Sequence, residues 1–283
     1  MPSSARGGTS SSPPRRREGC YSSRVARKPV QDDPVLGPLT DDALTREFRV
    51  WQRAKGHRFS ADDLTTAYLA WREAPEARRV LDLGCGLGSV LLHLAWAMPR
   101  ATFVGIEAQD VSFELLRRNV ERNGVTGRVA IHHGDLRDEE ALTRLGGEFD
   151  LVTGTPPYFP PGAAVDAMDT QRAYARIEYR GGVEAYLATG QRLLAKEGVM
   201  VLCGDARAID RVDRGANAAG LTIRARCEII PRENEPPLFA VWTLGHASRT
   251  GEVALSSLTL RDRAGERTAD AKMLRTFSGL EKP

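Results

Sequence analysis

From Arg78 onward, short apolar runs alternate with longer stretches in which apolar residues recur every three or four positions. A run of four to six apolar residues bounded by turn formers fits a buried strand. The i, i+3, i+4 recurrence fits a helix with one face on a core. The pattern predicts strands over residues 79–83, 102–106, 129–132, 149–153, 199–203, 222–230 and 238–244. Helices are predicted over 87–98, 111–122, 183–194 and 208–219, the second stopping at Asn123-Gly124. Alternation between strands and helices implies an α/β fold built on a doubly wound, seven-stranded, mostly parallel sheet. Loop 231–237 is too short for a crossover, so the last two strands form a hairpin and the C-terminal strand is antiparallel.

Upstream of this repeat the periodicity is helical. Thr40 is a candidate N-cap, Asp41 and Asp42 suit the positive end of a helix dipole, and Leu44, Phe48 and Trp51 follow at helical spacing before Gly56. Ser60 is a second cap with Asp63 three residues on, leading Leu64, Ala67, Tyr68 and Trp71 along one face. Residues 1–35 are rich in Ser, Gly, Pro and Arg and hold almost no large apolar side chains. Such a segment cannot bury enough surface to offset its ordering entropy, and disorder is expected. The organisation read from sequence is therefore a basic tail (1–35), an N-terminal helical extension (36–78), the α/β domain (79–247) and a C-terminal extension (248–283). That last piece contains a strand-like segment over 252–262 and a polar end.

The 283-residue length suits one large domain with a substantial core. No apolar run approaches the ~20 residues of a membrane span, which points to a soluble, cytoplasmic chain without a membrane partner. The Arg- and Ser-rich tail also resembles an organellar transit peptide, the alternative location. The net charge of +3 is unevenly placed: Arg6, Arg15, Arg16, Arg17, Arg24, Arg27 and Lys28 face only Glu18 within residues 1–30. The rest of the chain is slightly acidic, so any nucleic-acid contact must come from a local patch or the tail. Cys20, Cys85, Cys203 and Cys227 are scattered without metal spacing, and His57, His132 and His133 lack partners at ligand spacing. No metal site is expected, and the thiols read as reduced.

Residues Val80-Leu81-Asp82-Leu83-Gly84-Cys85-Gly86-Leu87-Gly88 end a strand with an acid and open a helix with alternating glycines. Glycines there make a tight turn and let the backbone approach a nucleoside. Ser89 stands where a dinucleotide fingerprint would have its last glycine. Glu107 closes the next strand, placed to accept ribose hydroxyls, and Asp135 follows the third strand in His133-Gly134-Asp135-Leu136, placed to accept from an adenine amino group. Loop, ribose acid and adenine acid in this order resemble the class I S-adenosylmethionine-dependent methyltransferases, with their Rossmann-like fold. The resemblance implies S-adenosylmethionine as cofactor, held by Asp82, Gly84, Gly86, Gly88, Glu107, Asp135 and Leu136, with Asp82 at the methionine end.

After the fourth strand come Thr155-Pro156-Pro157-Tyr158-Phe159. This segment resembles the NPPY motif of amino methyltransferases acting on adenine N6 or a glutamine amide. The lone pair of such a nitrogen is delocalised, so carbonyl or hydroxyl acceptors must hold its two hydrogens and aim it at the methyl group. The resemblance gives that work to Thr155 and the Pro156 carbonyl and gives Tyr158 a stacking role. Threonine departs from the motif's Asn, Asp or Ser: its hydroxyl accepts one hydrogen bond but is shorter than an amide and carries a branched methyl.

Gly56-His57-Arg58-Phe59-Ser60-Ala61-Asp62 resembles the GYRFSxD segment of bacterial valine-tRNA adenine-N6 methyltransferases, as do Pro-Pro-Tyr-Phe, Ala175-Arg176-Ile177-Glu178 and Ile230-Pro231-Arg232. That family implies an RNA substrate, tRNA first, with Arg58, Phe59 and Asp62 shaping the cofactor pocket. Pro157, Phe159, Arg176 and Arg232 fall to the substrate side, and Arg172 and Arg180 join the last two in a phosphate-contacting rim. Two other readings remain open at this stage: methylation of a protein glutamine or small amine, and a cofactor-binding partner module without catalysis.

Overall fold

The computed structural model describes residues 29–162, 169–246 and 252–281. Three short strands come first, β1 (Gln31–Asp33), β2 (Gly37–Ala43) and β3 (Arg49–Arg53), and then helix α1 (Ala61–Glu73). The alternating region follows as β4 (Arg79–Leu83), α2 (Ser89–Ala97), β5 (Thr102–Glu107), α3 (Asp110–Arg122), β6 (Val129–His133), α4 (Glu139–Leu145) and β7 (Phe149–Gly154). It continues as α5 (Thr170–Arg176), α6 (Val183–Leu193), β8 (Leu194–Asp205), α7 (Ile209–Ala218), β9 (Leu221–Ile230) and β10 (Phe239–His246), and ends with β11 (Ala254–Thr259) and α8 (Ala269–Phe277).

The main sheet has the order β11-β9-β10-β8-β7-β4-β5-β6. Strands β4 to β8 pair in parallel, and β10 runs antiparallel between β8 and β9. This is the expected doubly wound sheet with an antiparallel C-terminal hairpin. It has eight strands rather than seven because β11 adds to the edge, parallel to β9. The winding reverses beside β4: β5 and β6 lie to one side, β7 and β8 to the other. A crevice opens at the carboxyl ends of strands where the winding reverses.

Side-chain alternation builds the two layers. Val80 of β4 and Val201 and Cys203 of β8 point into a core with α1, α2 and α3. Leu81, Leu83, Met200 and Leu202 point the other way, toward α4, α6 and α7. Both faces of these strands are covered, which is why they read as continuous apolar runs rather than alternating ones. Each fully buried leucine here contributes roughly 1.5–3 kcal/mol of apolar burial.

The expected helix from Thr40 is instead the antiparallel hairpin β2–β3, with Asp42 opposite Val50 and Thr40 opposite Gln52. The residues that alternate inward are largely polar. Thr40, Asp42 and Gln52 are buried, and Arg58 closes the group by donating to Thr40 Oγ1 at 2.7 Å and Asp42 Oδ2 at 2.6 Å. Gln52 also donates to Asp42 at 3.0 Å. A strand whose inner face is hydrogen-bonded polar groups shows no apolar period of two, while Leu44, Phe48 and Trp51 happen to stand at helical spacing. Asn119 of α3 anchors the hairpin by bonding the Trp51 backbone at both its N–H (2.7 Å) and carbonyl (3.2 Å).

The helix expected from Ser60 forms as α1, with a Ser60–Asp63 capping box. Residues 1–28 of the expected disordered tail, with Cys20 and most of its basic charge, lie outside the described residues, but 31–33 are strand β1. There Asp33 bonds the Val35 and Leu36 amides and Arg118, and Arg118 draws its carboxyl down to about 2. The strand-like segment at 252–262 forms β11. The polar end is a helix, α8, whose Phe277 packs among Tyr68, Trp71, His93 and Trp96.

Candidate active site

Strands β4 and β7 are neighbours in register, with Leu83 opposite Gly154, so the glycine loop and the Thr155 loop start side by side at one sheet edge. All three loop glycines have positive φ, +58° at Gly84, +57° at Gly86 and +93° at Gly88, but for different reasons. A Cβ at Gly84 would sit 2.1 Å from the Tyr186 hydroxyl. One at Gly88, the residue capping α2, would press on Leu116 at 2.7 Å. One at Gly86 would meet nothing within 4 Å. Gly84 and Gly86 line a cavity there, whereas Gly88 does not reach it and serves packing.

The expected acids surround that cavity unequally. Glu107 lies on its wall, its carboxylate fixed by the amides of Gly86 (2.8 Å) and Gln109 (2.7 Å). Burial pushes its pKa up, against those amides and the Arg180 charge. Asp135 and Leu136 also line it, with Asp135 accepting a forked pair of bonds from Arg137 at 2.9 and 2.7 Å that lowers its pKa. Asp82 lies beneath the wall rather than on it. Its Oδ1 accepts from Thr153 at 2.8 Å, its Oδ2 is buried without a partner among the described residues, and burial pushes its carboxyl up to about 7.

The acid that does reach the cavity from the N-terminal side is Asp63, which the sequence shows only as a helix cap. Its oxygens accept from the Ser89 hydroxyl and the Ser60 amide, both at 2.8 Å, and burial plus the charges of Asp62 and Asp82 push it well above the usual carboxylate range. Phe59 lines the same cavity. Arg58 and Asp62, expected beside the cofactor loop, face a second cleft instead. The reason is their partners: Arg58 is drawn to Asp42 of the hairpin, and Asp62 accepts the Tyr158 hydroxyl at 3.3 Å.

This second cleft, about 540 Å³, is within the size range of small-molecule sites. Pro156, Tyr158, Phe159, Arg172 and Arg176 line it, while Pro157 faces the glycine-loop cavity and Thr155 lines both. Tyr158 Oη is also 2.9 Å from Cys203 Sγ, and burial raises its pKa well above the ordinary phenol value, so the ring is a fixed, neutral wall. Phe159 is tied to the end of α5 by paired backbone bonds, receiving Glu178 N–H and donating to the Arg176 carbonyl, both at 3.0 Å, with the Arg176 guanidinium over its ring. Arg180 lines the first cavity. Arg232 is absent from both linings and lies on the exposed β9–β10 turn, beside the 261–265 segment of the C-terminal extension. Of the four arginines of the rim expected from sequence, Arg172 and Arg176 line the second cleft, Arg180 lines the first cavity and Arg232 lines neither.

Nothing in the sequence distinguishes Gln171 from a surface helix residue. It is buried, accepts the His57 amide at 3.3 Å and donates to Ser112 of α3 at 3.2 Å. Arg53 adds a 2.8 Å ion pair to Asp169 ahead of α5. A Cβ on Gly56 would strike Gln171 Oε1 at 2.1 Å, which explains that glycine. Cys85 is buried against β5 with its thiol pushed up by burial, consistent with packing. Among the described residues no group of His, Cys, Asp and Glu is arranged to hold a metal, and no helix is long and apolar enough to cross a membrane.

Residues 80–178 match a family model described as a methyltransferase domain. The chain is 28% identical over 199 residues to the tRNA1(Val) (adenine(37)-N6)-methyltransferases of Yersinia pestis and Yersinia pseudotuberculosis, covering 69% of this chain and 77% of theirs. Among solved structures it resembles an Agrobacterium tumefaciens protein described as a predicted O-methyltransferase, with a TM-score of 0.57 at 18% identity over 77% of this chain and 96% of that one.

Proposed function

We propose that this chain, a class I S-adenosylmethionine-dependent methyltransferase, methylates the exocyclic N6 of an adenine in RNA, with tRNA as the first substrate class to test. The free cavity fits the cofactor on three counts. Open space faces Gly86 where a Cβ would intrude, Glu107 is held by two amides at a strand end, and two buried acids, Asp63 and the half-satisfied Asp82, suit an ammonium. In this reading Glu107 takes the ribose hydroxyls, and Asp135 and Leu136 take the adenine. Gly84 and Gly86 allow close approach, and Asp63 holds the methionine end with Asp82 behind it. Arg58 supports the β2–β3 hairpin rather than the cofactor. Bound, the cofactor supplies an electrophilic methyl group.

The observation that carries the acceptor is the position of Thr155, on the wall common to both cavities, at the head of Pro156-Pro157-Tyr158-Phe159. Thr155 Oγ1 and the Pro156 carbonyl hold the two amine hydrogens, which leaves the nitrogen lone pair turned toward the cofactor side. Tyr158, Phe159 and Pro157 frame a planar base taken out of its stack. Arg172 and Arg176 meet flanking phosphates as charges on a positioned rim. The names of the 28%-identical relatives support the same substrate class.

The test is to incubate the full chain with methyl-labelled S-adenosylmethionine and, separately, total RNA, total protein and a mixture of small amines. The expected result is label in RNA, recovered as N6-methyladenine after nuclease digestion. Label in protein alone would overturn the RNA reading.

A further inference from the structure

We infer that the His57 imidazole is a further catalytic group, taking the proton that the acceptor nitrogen sheds on methylation; the inference rests on the amine-acceptor reading above. Among the described residues, His57, Asp63, Thr155 and Ala175 are the ones lining both the cofactor cavity and the second cleft. These four residues form the wall that the two cavities share. Ala175 has no polar side chain, and the Thr155 hydroxyl accepts hydrogen bonds but not protons at ordinary pH. The Asp63 carboxyl is committed to Ser89, to Ser60 and, in the reading above, to the methionine end of the cofactor. The ring of His57 makes no hydrogen bond to a described residue, while its backbone is held by Gln171.

The charged groups that act on the ring are Asp62 of α1 and Arg172 and Arg176 of α5, all of which line the second cleft. The imidazole therefore stands on the wall between the cavities, within the field of the charges that line the second cleft. Burial first, then Arg172 and Arg176, lower its pKa against the pull of Asp62, so near neutral pH the ring is neutral and has a nitrogen lone pair free. The resembled GYRFSxD segment has tyrosine at this position. Histidine here and threonine at 155 are two departures from the motifs, and both fall on the same wall.

The acceptor nitrogen bonds the methyl carbon through its lone pair while the cofactor's sulfur keeps the electron pair of the broken bond. That nitrogen is left cationic with a proton to lose. The electrons of its N–H bond return to it as the proton passes to the imidazole, and the imidazolium then yields the proton to water in the cleft. A weak acceptor suffices, because a methylated cationic amine is a strong acid compared with the starting amine.

The experiment measures single-turnover transfer to the RNA labelled above, from pH 5 to 8.5, for the wild type, His57→Gln and His57→Phe. In parallel, imidazole 15N NMR follows His57 in the wild-type chain bound to S-adenosylhomocysteine, with and without adenosine. The expected result is a wild-type rate that falls toward acid pH as the ring protonates, later than an ordinary imidazole would, and transfer about tenfold to a hundredfold slower in both variants with that acid limb gone. Tm should stay near wild type, and the His57 resonances should move on adding adenosine. Variants that fold and transfer at the wild-type rate with an unchanged pH profile would overturn the inference, as would His57 resonances indifferent to adenosine. If label enters protein instead of RNA, the adenine reading falls, and the same variants assayed on that protein judge His57 independently.

Discussion

The two cavities that meet at Thr155 are built in different ways. The cofactor side draws most of its wall from one continuous stretch, 84–136, in which the contributing residues end strands of the sheet or follow them. Strand pairing brings them to one edge, since β4, β5 and β6 are adjacent and parallel. The acceptor side is gathered from residues 54–63, 155–159, 172–176 and 205–239 and is fastened by individual side chains: Gln171, the Arg53–Asp169 pair and the Tyr158–Asp62 bond. A site made from strand ends tolerates change in its surroundings, whereas a site made from single tethers shifts when one is cut.

The strongest way to break the cofactor side is Gly86→Val. A β-branched residue at φ +57° is strained and fills the open space, so S-adenosylmethionine affinity should fall at least about a hundredfold, or ~2.8 kcal/mol, by calorimetry. Unchanged affinity would contradict the loop assignment. On the acceptor side Gln171→Ala cuts a tether. It should lower kcat/KM for the acceptor by about tenfold and stability by about 1–3 kcal/mol while leaving cofactor affinity within twofold. Equal losses on both sides would erase the contrast.

Thr155→Asn, on the wall between them, should preserve transfer or raise it up to about threefold, since an amide carbonyl accepts the amine hydrogen with longer reach. Loss of transfer in a folded variant would mean that this pocket is shaped for another acceptor. The smallest effect concerns pH. Unfolded, Asp82 ionises near 3.8; folded, burial keeps its proton up to about 7. Between those values the folded chain holds more protons, so this group makes stability fall as pH rises through the window. The Tm of the wild type minus that of Asp82→Asn should decline from pH 4 to 7 in the cofactor-free protein. A flat difference would show that Asp82 is ionised in the free fold.

Legibility follows the same division. The central strands and their helices stand where the apolar pattern put them, and β4 (Arg79–Leu83) matches its expected bounds. Glu107 and Asp135 reach the cavity because a strand end is a local property. Asp82 and Gly88 do not, because depth beneath the wall depends on what packs above them, Thr153 for one and Leu116 for the other. Asp63 was readable only as a cap, and its second role depends on Ser89, 26 residues away.

By itself the sequence determined the doubly wound sheet, the glycine loop and the placing of two motif-bearing loops after strands, because hydrophobic period and glycine geometry act within a few residues. The tertiary structure alone decided that 37–53 is a hairpin, that Arg58 pairs with Asp42 of that hairpin, that Arg232 stands apart, and that His57 and Thr155 share a wall. Each of those outcomes depends on a polar partner distant in the chain. A polar side chain's sequence neighbours do not reveal whether water or such a partner will satisfy it.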